Sequence, residues 1–283
     1  MRPDQQFQRE PIHLTVQTVH PSPKRSREPV PSGELVINRF LIDRQQEFTE
    51  KLEIGYSPKV VKAVLFDVAG VLTESYGHII LETAVAIDAN IDLLAEALIP
   101  VFLGEEDTDE MGHKLERGEV TLDEFLASLG PVEEDARVLL HPESSHFFGH
   151  AFSPNREMMA FANELATTDC MTAIVSNSVK EWMPAWETAI PDRSIFNTVI
   201  LSSEVGLRKP NPAMYALALE RLQISPDEAV FLDDFEPMVK GAEQVGIHAI
   251  HVTDHTEAIK QVQDCLLYTS PSPRDQRGSG VAG

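Results

Sequence analysis

From residue 58 onward, short apolar runs punctuate the chain at near-regular intervals. VKAVLF (61–66), TAIVS (172–176), TVILS (198–202), AVFLD (229–233) and HAIHV (248–252) are rich in β-branched residues. Runs this short and this continuous predict strands buried on both faces. Between the later runs, apolar residues return at helical spacing. PNREMMAFANELA (154–166) carries Pro154 near its start, NPAMYALALERL (211–222) opens on Asn and Pro, and EPMVKGAEQVG (236–246) runs from Pro237 to a stop at Gly246. Strands alternating with helices predict a doubly wound, mostly parallel α/β sheet of the Rossmann-like kind.

Residues 73–153 interrupt the alternation. ILETAVAI, IDLLAEALIPVFL and KLERGEVTLDEFLASL are helical patterns, with Gly118 dividing two short helices and Thr121 with Glu124 forming a capping box. The block reads as an all-α insertion after the first strand. Residues 1–57 lack such patterning. They hold PSPKRSREPVPSG (21–33), which reads as linker; KRSR as a nuclear address is the weaker reading. At the other end, CLLYTSPSPRD (265–275) resembles a translated sequencing adapter. Residues 265–283 are therefore set apart from the fold as artefact or disordered tail, with the natural C-terminus expected to be missing.

Composition narrows the function classes. A formal net charge of −22 argues against nucleic acid and anionic lipid as partners. No stretch approaches the ~20 unbroken apolar residues of a membrane span, and the N-terminus lacks the apolar core of a signal peptide. The two cysteines, Cys170 and Cys265, form no metal or disulfide pattern, so a reducing cytoplasmic setting is expected.

Four polar sites follow predicted strands: Asp67, Ser176–Asn177, Lys209 and Asp233–Asp234. Ligands of open α/β sheets bind outside those strand ends. Each site alone has an ordinary explanation as turn, helix cap or solvated loop. Together they are a complete set for phosphate chemistry. A carboxylate can attack phosphorus, a hydroxyl can hold phosphoryl oxygens, and a lysine can neutralise charge. Three carboxylates in one cleft repel one another, and a hard divalent cation such as Mg²⁺ removes the conflict. His141, His146 and His150 in HPESSHFFGH lack a metal motif and read as surface or hinge residues; GEEDTDE (104–110) reads as a solvated loop.

In order and context, these motifs resemble the haloacid dehalogenase superfamily, most of whose members are Mg²⁺-dependent phosphatases. LFDVAGVL is similar to the first motif, IVSNS to the second, GLRKPNPAMY to the third and VFLDDFEPM to the fourth. The resemblance spans roughly residues 60–255. LERGEVTLDEF is further similar to phosphatases related to the N-terminal domain of soluble epoxide hydrolase and to the like domain of some acyl-CoA dehydrogenases. The resemblance implies a core of 58–72 and 154–264 with a helical cap at 73–153. It implies Asp67 as nucleophile and Ser176, Asn177 and Lys209 as phosphate ligands. Mg²⁺ would be held by Asp67, Asp234 and the Ala69 carbonyl, with Asp233 in support.

The chain departs from the family at two positions. Most family phosphatases carry a second Asp where Ala69 stands, and that Asp protonates the leaving oxygen. Met238 stands where Asn is common. The expected function is hydrolysis of a small phosphorylated metabolite through an aspartyl-phosphate. A catalytically impaired relative that binds a phosphorylated ligand or a protein is the alternative, and a metal-independent dehalogenase a third reading. Substrate and oligomeric state are not legible.

Overall fold

The computed structural model describes residues 60–102, 104 and 106–269. The N-terminal arm read at 1–57, with its KRSR cluster, lies outside the described residues, as does the tail from 270 onward.

Five strands form one sheet: β1 (Ala63–Phe66), β2 (Met171–Ser176), β3 (Thr198–Leu201), β4 (Ala229–Asp233) and β5 (His248–His251). Their order is β3-β2-β1-β4-β5 and every pairing is parallel. The doubly wound α/β expectation is met, with each strand within two residues of its apolar run. β1 sits in the centre, where Leu65 faces Ala173 on one side and Phe231 on the other. Successive side chains of a strand point to opposite faces. Ala63 and Leu65 enter one core with Met214, Tyr215 and Ala242. Val64 and Phe66 enter the other with Met158, Phe161 and Val262.

Between β1 and β2 the chain forms α1 (Tyr76–Ala86), α2 (Ile91–Phe102), α3 (Met111–Glu116), α4 (Leu122–Ser128) and α5 (Glu133–Leu140), then α6 (Arg156–Leu165). Helices α1 to α5 have their own core around Leu115, Phe125, Leu126, Leu139 and Phe148. The capping box forms as the spacing predicts: the Glu124 N–H donates to Thr121 Oγ1 at 3.2 Å and the Thr121 N–H to Glu124 Oε2 at 2.8 Å. HPESSHFFGH is turn followed by a short 3-10 helix (Phe148–Ala151), which removes the helical spacing of His146 and His150.

After β2 come α7 (Met183–Ala189) and, beyond β3, α8 (Ser202–Val205) and α9 (Pro212–Leu222). α10 (Glu236–Gln244) follows β4, and α11 (His255–Thr269) follows β5. Asn155 and Asn211 cap α6 and α9 by accepting from Met158 N at 2.9 Å and Ala213 N at 3.0 Å. α11 runs five residues past the boundary expected at 264. Ala258 and Val262 anchor it to the core, and Cys265 and Leu266 continue that stripe at helical spacing, packing against the same cluster.

Candidate active site

The ends of β1, β2 and β4 open into one cavity of about 390 Å³, roofed by α1 and α2. Asp67, Ala69, Ser176, Asn177, Lys209, Asp233 and Asp234 all line it, so the structure brings the residues expected from four separate stretches to one place.

Lys209 is the hub. It is 1% exposed. Its Nζ lies 2.9 Å from Asp67 Oδ1 and 2.5 Å from Asp233 Oδ2. Burial works against the ammonium, but Asp233 and then Asp67 outweigh it and raise its pKa. Asn177 holds the same lysine by its backbone. Its Oδ1 accepts from Lys209 N at 2.8 Å and its Nδ2 donates to Lys209 O at 3.1 Å. The Asn177 side chain is thus committed to positioning the lysine loop, a role that the spacing did not indicate. Ser176 Oγ donates to the Asn177 carbonyl at 3.1 Å.

The acids are arranged unequally. Asp233 is fully engaged: Oδ2 takes the lysine and Oδ1 accepts from Phe235 N at 2.9 Å. Asp67 Oδ1 has the lysine nearby but no well-aligned hydrogen bond among the described residues. Burial, then repulsion from Asp67, pushes the Asp234 carboxyl up to about 7. Asp234 presses on Gly70, whose φ is +74°. A Cβ built there would stand 1.9 Å from Asp234 Oδ2, so the loop after β1 admits only glycine at this point.

The donor set fits a hard divalent cation. Asp67, Asp233 and Asp234 offer carboxylate oxygens within 4.8 Å of one another, and among the described residues they are the one such acidic, His or Cys group. One lysine cannot balance three carboxylates, two of them buried and one half-buried. The Ala69 carbonyl accepts no backbone hydrogen bond among the described residues and stays available as a neutral oxygen ligand. The Ala69 side chain supplies no proton.

Several further residues shape the site without a local sequence signal. Arg208, next to Lys209, is fully buried, and its Nε donates to Glu116 Oε2 of α3 at 2.7 Å. Burial pushes the Glu116 carboxyl up to about 7, against the pull of Arg208. Arg208 Nη1 donates to the Glu106 carbonyl at 3.0 Å, and Asp107 pairs with Arg117 and accepts from Asn211 Nδ2. Glu106, Asp107 and Thr108 are therefore tied to the lysine loop and its neighbours, where a solvated loop was expected, while Asp109 and Glu110 are exposed. The Ser202 hydroxyl donates to the Glu116 carbonyl at 2.5 Å, and Gly118 (φ +69°) lies so close to Ser203 O that a Cβ would sit 2.5 Å away. These contacts dock the helical block on α8. Tyr76 of α1 lines the cavity, stacked on Phe152 at 4.8 Å. His146 and His150 are exposed and belong to no metal-binding group among the described residues.

A model of the haloacid dehalogenase-like hydrolases matches residues 61–246. Acyl-CoA dehydrogenase family member 10 of Mus musculus is 29% identical over 210 residues, covering 72% of this chain and 19% of that protein. Bifunctional epoxide hydrolase 2 of Rattus norvegicus is 32% identical over 124 residues, 40% of this chain and 21% of that protein. The chain thus spans about a fifth of the length of these curated relatives. A HAD-family enzyme of Bacteroides thetaiotaomicron, solved with magnesium and inorganic phosphate, superposes with a TM-score of 0.52 at 20% identity, covering 70% of this chain and 98% of that one. That likeness is one of fold.

Proposed function

This chain belongs to the haloacid dehalogenase-like hydrolases, and within that family we propose that it is a Mg²⁺-dependent phosphomonoester hydrolase working through an aspartyl-phosphate. The observation that carries the reading is the hub geometry. Lys209 Nζ touches both Asp67 and Asp233, with Asp234 completing an acidic group that fits one divalent cation.

In the proposed reaction an Asp67 oxygen attacks phosphorus as the ester P–O bond breaks, leaving phosphate on Asp67 and an alkoxide that takes a proton from water. A second water then attacks the phosphorus, releasing inorganic phosphate and restoring the Asp67 carboxylate. Lys209 neutralises the phosphoryl oxygens and is held in place by Asp233 and Asn177. Ser176 is free to exchange its weak local bond for a phosphoryl oxygen. Mg²⁺, held by Asp67, Asp234 and the Ala69 carbonyl with Asp233 in support, would supply the remaining positive charge that phosphoryl transfer needs. The helical block at 73–153 serves as the cap over this core.

Ala69 favours a second reading, in which the fold binds a phosphorylated ligand without turning it over. A missing acid–base group typically costs about 10²–10⁴ in rate. Phosphate release from a panel of phosphoesters, with Mg²⁺ and then with chelator, separates the readings. Metal-dependent release, lost by about a thousandfold or more in Asp67→Asn, is expected for the hydrolase. No release from any ester, activated aryl phosphates included, together with saturable Mg²⁺-dependent binding of a phosphorylated ligand, would support the binding protein. Chelator-insensitive halide release would instead indicate a dehalogenase.

A further inference from the structure

Tyr76, the first residue of α1, has its ring held on three sides. It stacks on Phe152 with centroids 4.8 Å apart, and meets Phe148 at 5.6 Å and Trp182 at 6.3 Å edge to face. Phenylalanine would pack there as well, so packing leaves the hydroxyl unexplained. A buried tyrosine O–H ordinarily finds a partner. That of Tyr76 makes no hydrogen bond among the described residues. It faces charge instead: burial, then the carboxylates of Asp67, Glu116 and Asp234, raise its pKa and keep it protonated. Among the residues of α1 and α2 that line the cavity, Tyr76 alone has a polar side chain. Other polar groups of the lining are committed. Ser178 Oγ pairs with Ser203 Oγ at 2.8 Å, Glu116 with Arg208, and Lys209 with Asp67 and Asp233.

Resting on the hydrolase reading above, we infer that the Tyr76 hydroxyl is a further catalytic group, donating a hydrogen bond to the ester oxygen as it leaves. Asp67 follows β1 directly, among the strand ends. Attacking and leaving oxygens lie roughly in line at phosphorus, so the leaving oxygen points away from the strand ends, toward the roof that carries Tyr76. Negative charge grows on that oxygen as its bond to phosphorus breaks. A donor already fixed by three rings meets that charge without reorganising. The Tyr76 O–H bond stays intact throughout. The alkoxide still takes its proton from water, and the phenol ends as it began. Tyr76 thus eases bond breaking without replacing the acid that Ala69 lacks.

Tyr76→Phe removes the hydroxyl and keeps the ring. The test uses the full chain in Mg²⁺. Phosphate release is measured from an alkyl phosphate and from nitrophenyl phosphate, and calorimetry gives the affinities for orthovanadate and inorganic phosphate. Vanadate readily takes a fifth, apical oxygen at the leaving position, and phosphate does not. In Tyr76→Phe, kcat on the alkyl ester should fall about 10–100-fold with KM held within about threefold, and vanadate should weaken by a like factor. Nitrophenyl phosphate spreads the charge of its leaving group, so its turnover should change less than about threefold, as should phosphate affinity. Ser75→Ala removes the adjacent lining hydroxyl and should move none of the four by more than about threefold; if it reproduces the losses, the inference falls. Unchanged vanadate affinity in Tyr76→Phe overturns the inference whatever the rates do, as does a loss shared equally by both esters. So does a Tm lower by more than about 5 °C, because the hydroxyl would then serve the fold. Vanadate weakened by Tyr76→Phe while the parent hydrolyses no ester removes the hydrolase reading and keeps the contact. Hydrolysis by the parent with vanadate indifferent to the variant does the reverse, and the absence of both turnover and vanadate binding removes the two together.

Discussion

At the floor of the cleft, made by the strand ends, the lysine and one acid are matched to named partners: Lys209 to two acids and one amide, Asp233 to a lysine and a backbone N–H. At the roof, made by α1 and α2, the same cavity is walled, Tyr76 apart, by apolar side chains that carry no directional bonds. The two regions resist change differently. Polar partners in a low-dielectric site depend on one another, so removing one strands the rest. Apolar contacts are numerous, individually weak and replaceable in kind. On the proposed reading, the floor sets what is done and the roof sets to what.

The sharpest probe of that division is the one place where the floor lacks a polar group. Ala69 lines the cavity, so Ala69→Asp has room for a carboxyl. It should raise turnover of alkyl phosphates by about 10²–10⁴, while nitrophenyl phosphate, whose leaving group needs no proton, should gain far less. Equal gains on both esters would remove proton delivery as the missing function. Lys209→Met leaves Asp67 and Asp233 buried without their counter-charge, and urea unfolding in chelator should show a loss of about 3–5 kcal/mol. A loss under 1 kcal/mol would mean that the floor is no more interdependent than the roof. Leu126→Ala acts in the separate core of the helical block and does not line the cavity. It should cost about 3 kcal/mol of stability, within the usual range for a buried leucine, yet leave metal-dependent release from a short ester within a few-fold of the parent. A collapse of that release would join the two regions that the comparison separates. The last effect is a slope. Asp234 and Glu116 are both pushed up to about 7 from ordinary values of 3.8 and 4.5. The folded chain then holds protons that the unfolded chain has lost, so stability falls as pH rises from roughly 5 to 7. Tm in chelator should decline across that window, and Mg²⁺ should flatten the decline.

The division also explains what the sequence disclosed. Strands buried on both faces are continuous apolar runs, which made β1, β2 and β4 legible; the edge strand β5 departs from the expected burial, exposing His248 and His251, and was legible from the apolar residues between and after them. Asp67, Ser176 and the Asp233–Asp234 pair stood out because each breaks the polarity of the run before it, and Lys209 because it lies in the loop after β3 within GLRKPNPAMY. The pair of Arg208 with Glu116 did not, since residues 92 positions apart leave no local trace. The ties of Asp107 were hidden among acids that look solvated. The roof was hidden for another reason: leucines at helical spacing read alike whether they close a core or line a cavity.

Arg208 and Lys209 are consecutive, their Cα atoms about 3.8 Å apart across one peptide unit. The first is gripped by Glu116 of the helical block and the second by the acids of the floor. In mechanical terms the block is a lever whose short arm ends on the ammonium. Any load that tilts α3 reaches the lysine loop through the buried Arg208 side chain, held at its Nε by Glu116, one peptide unit from Lys209. Seating of the helical block and placement of the lysine are thus linked.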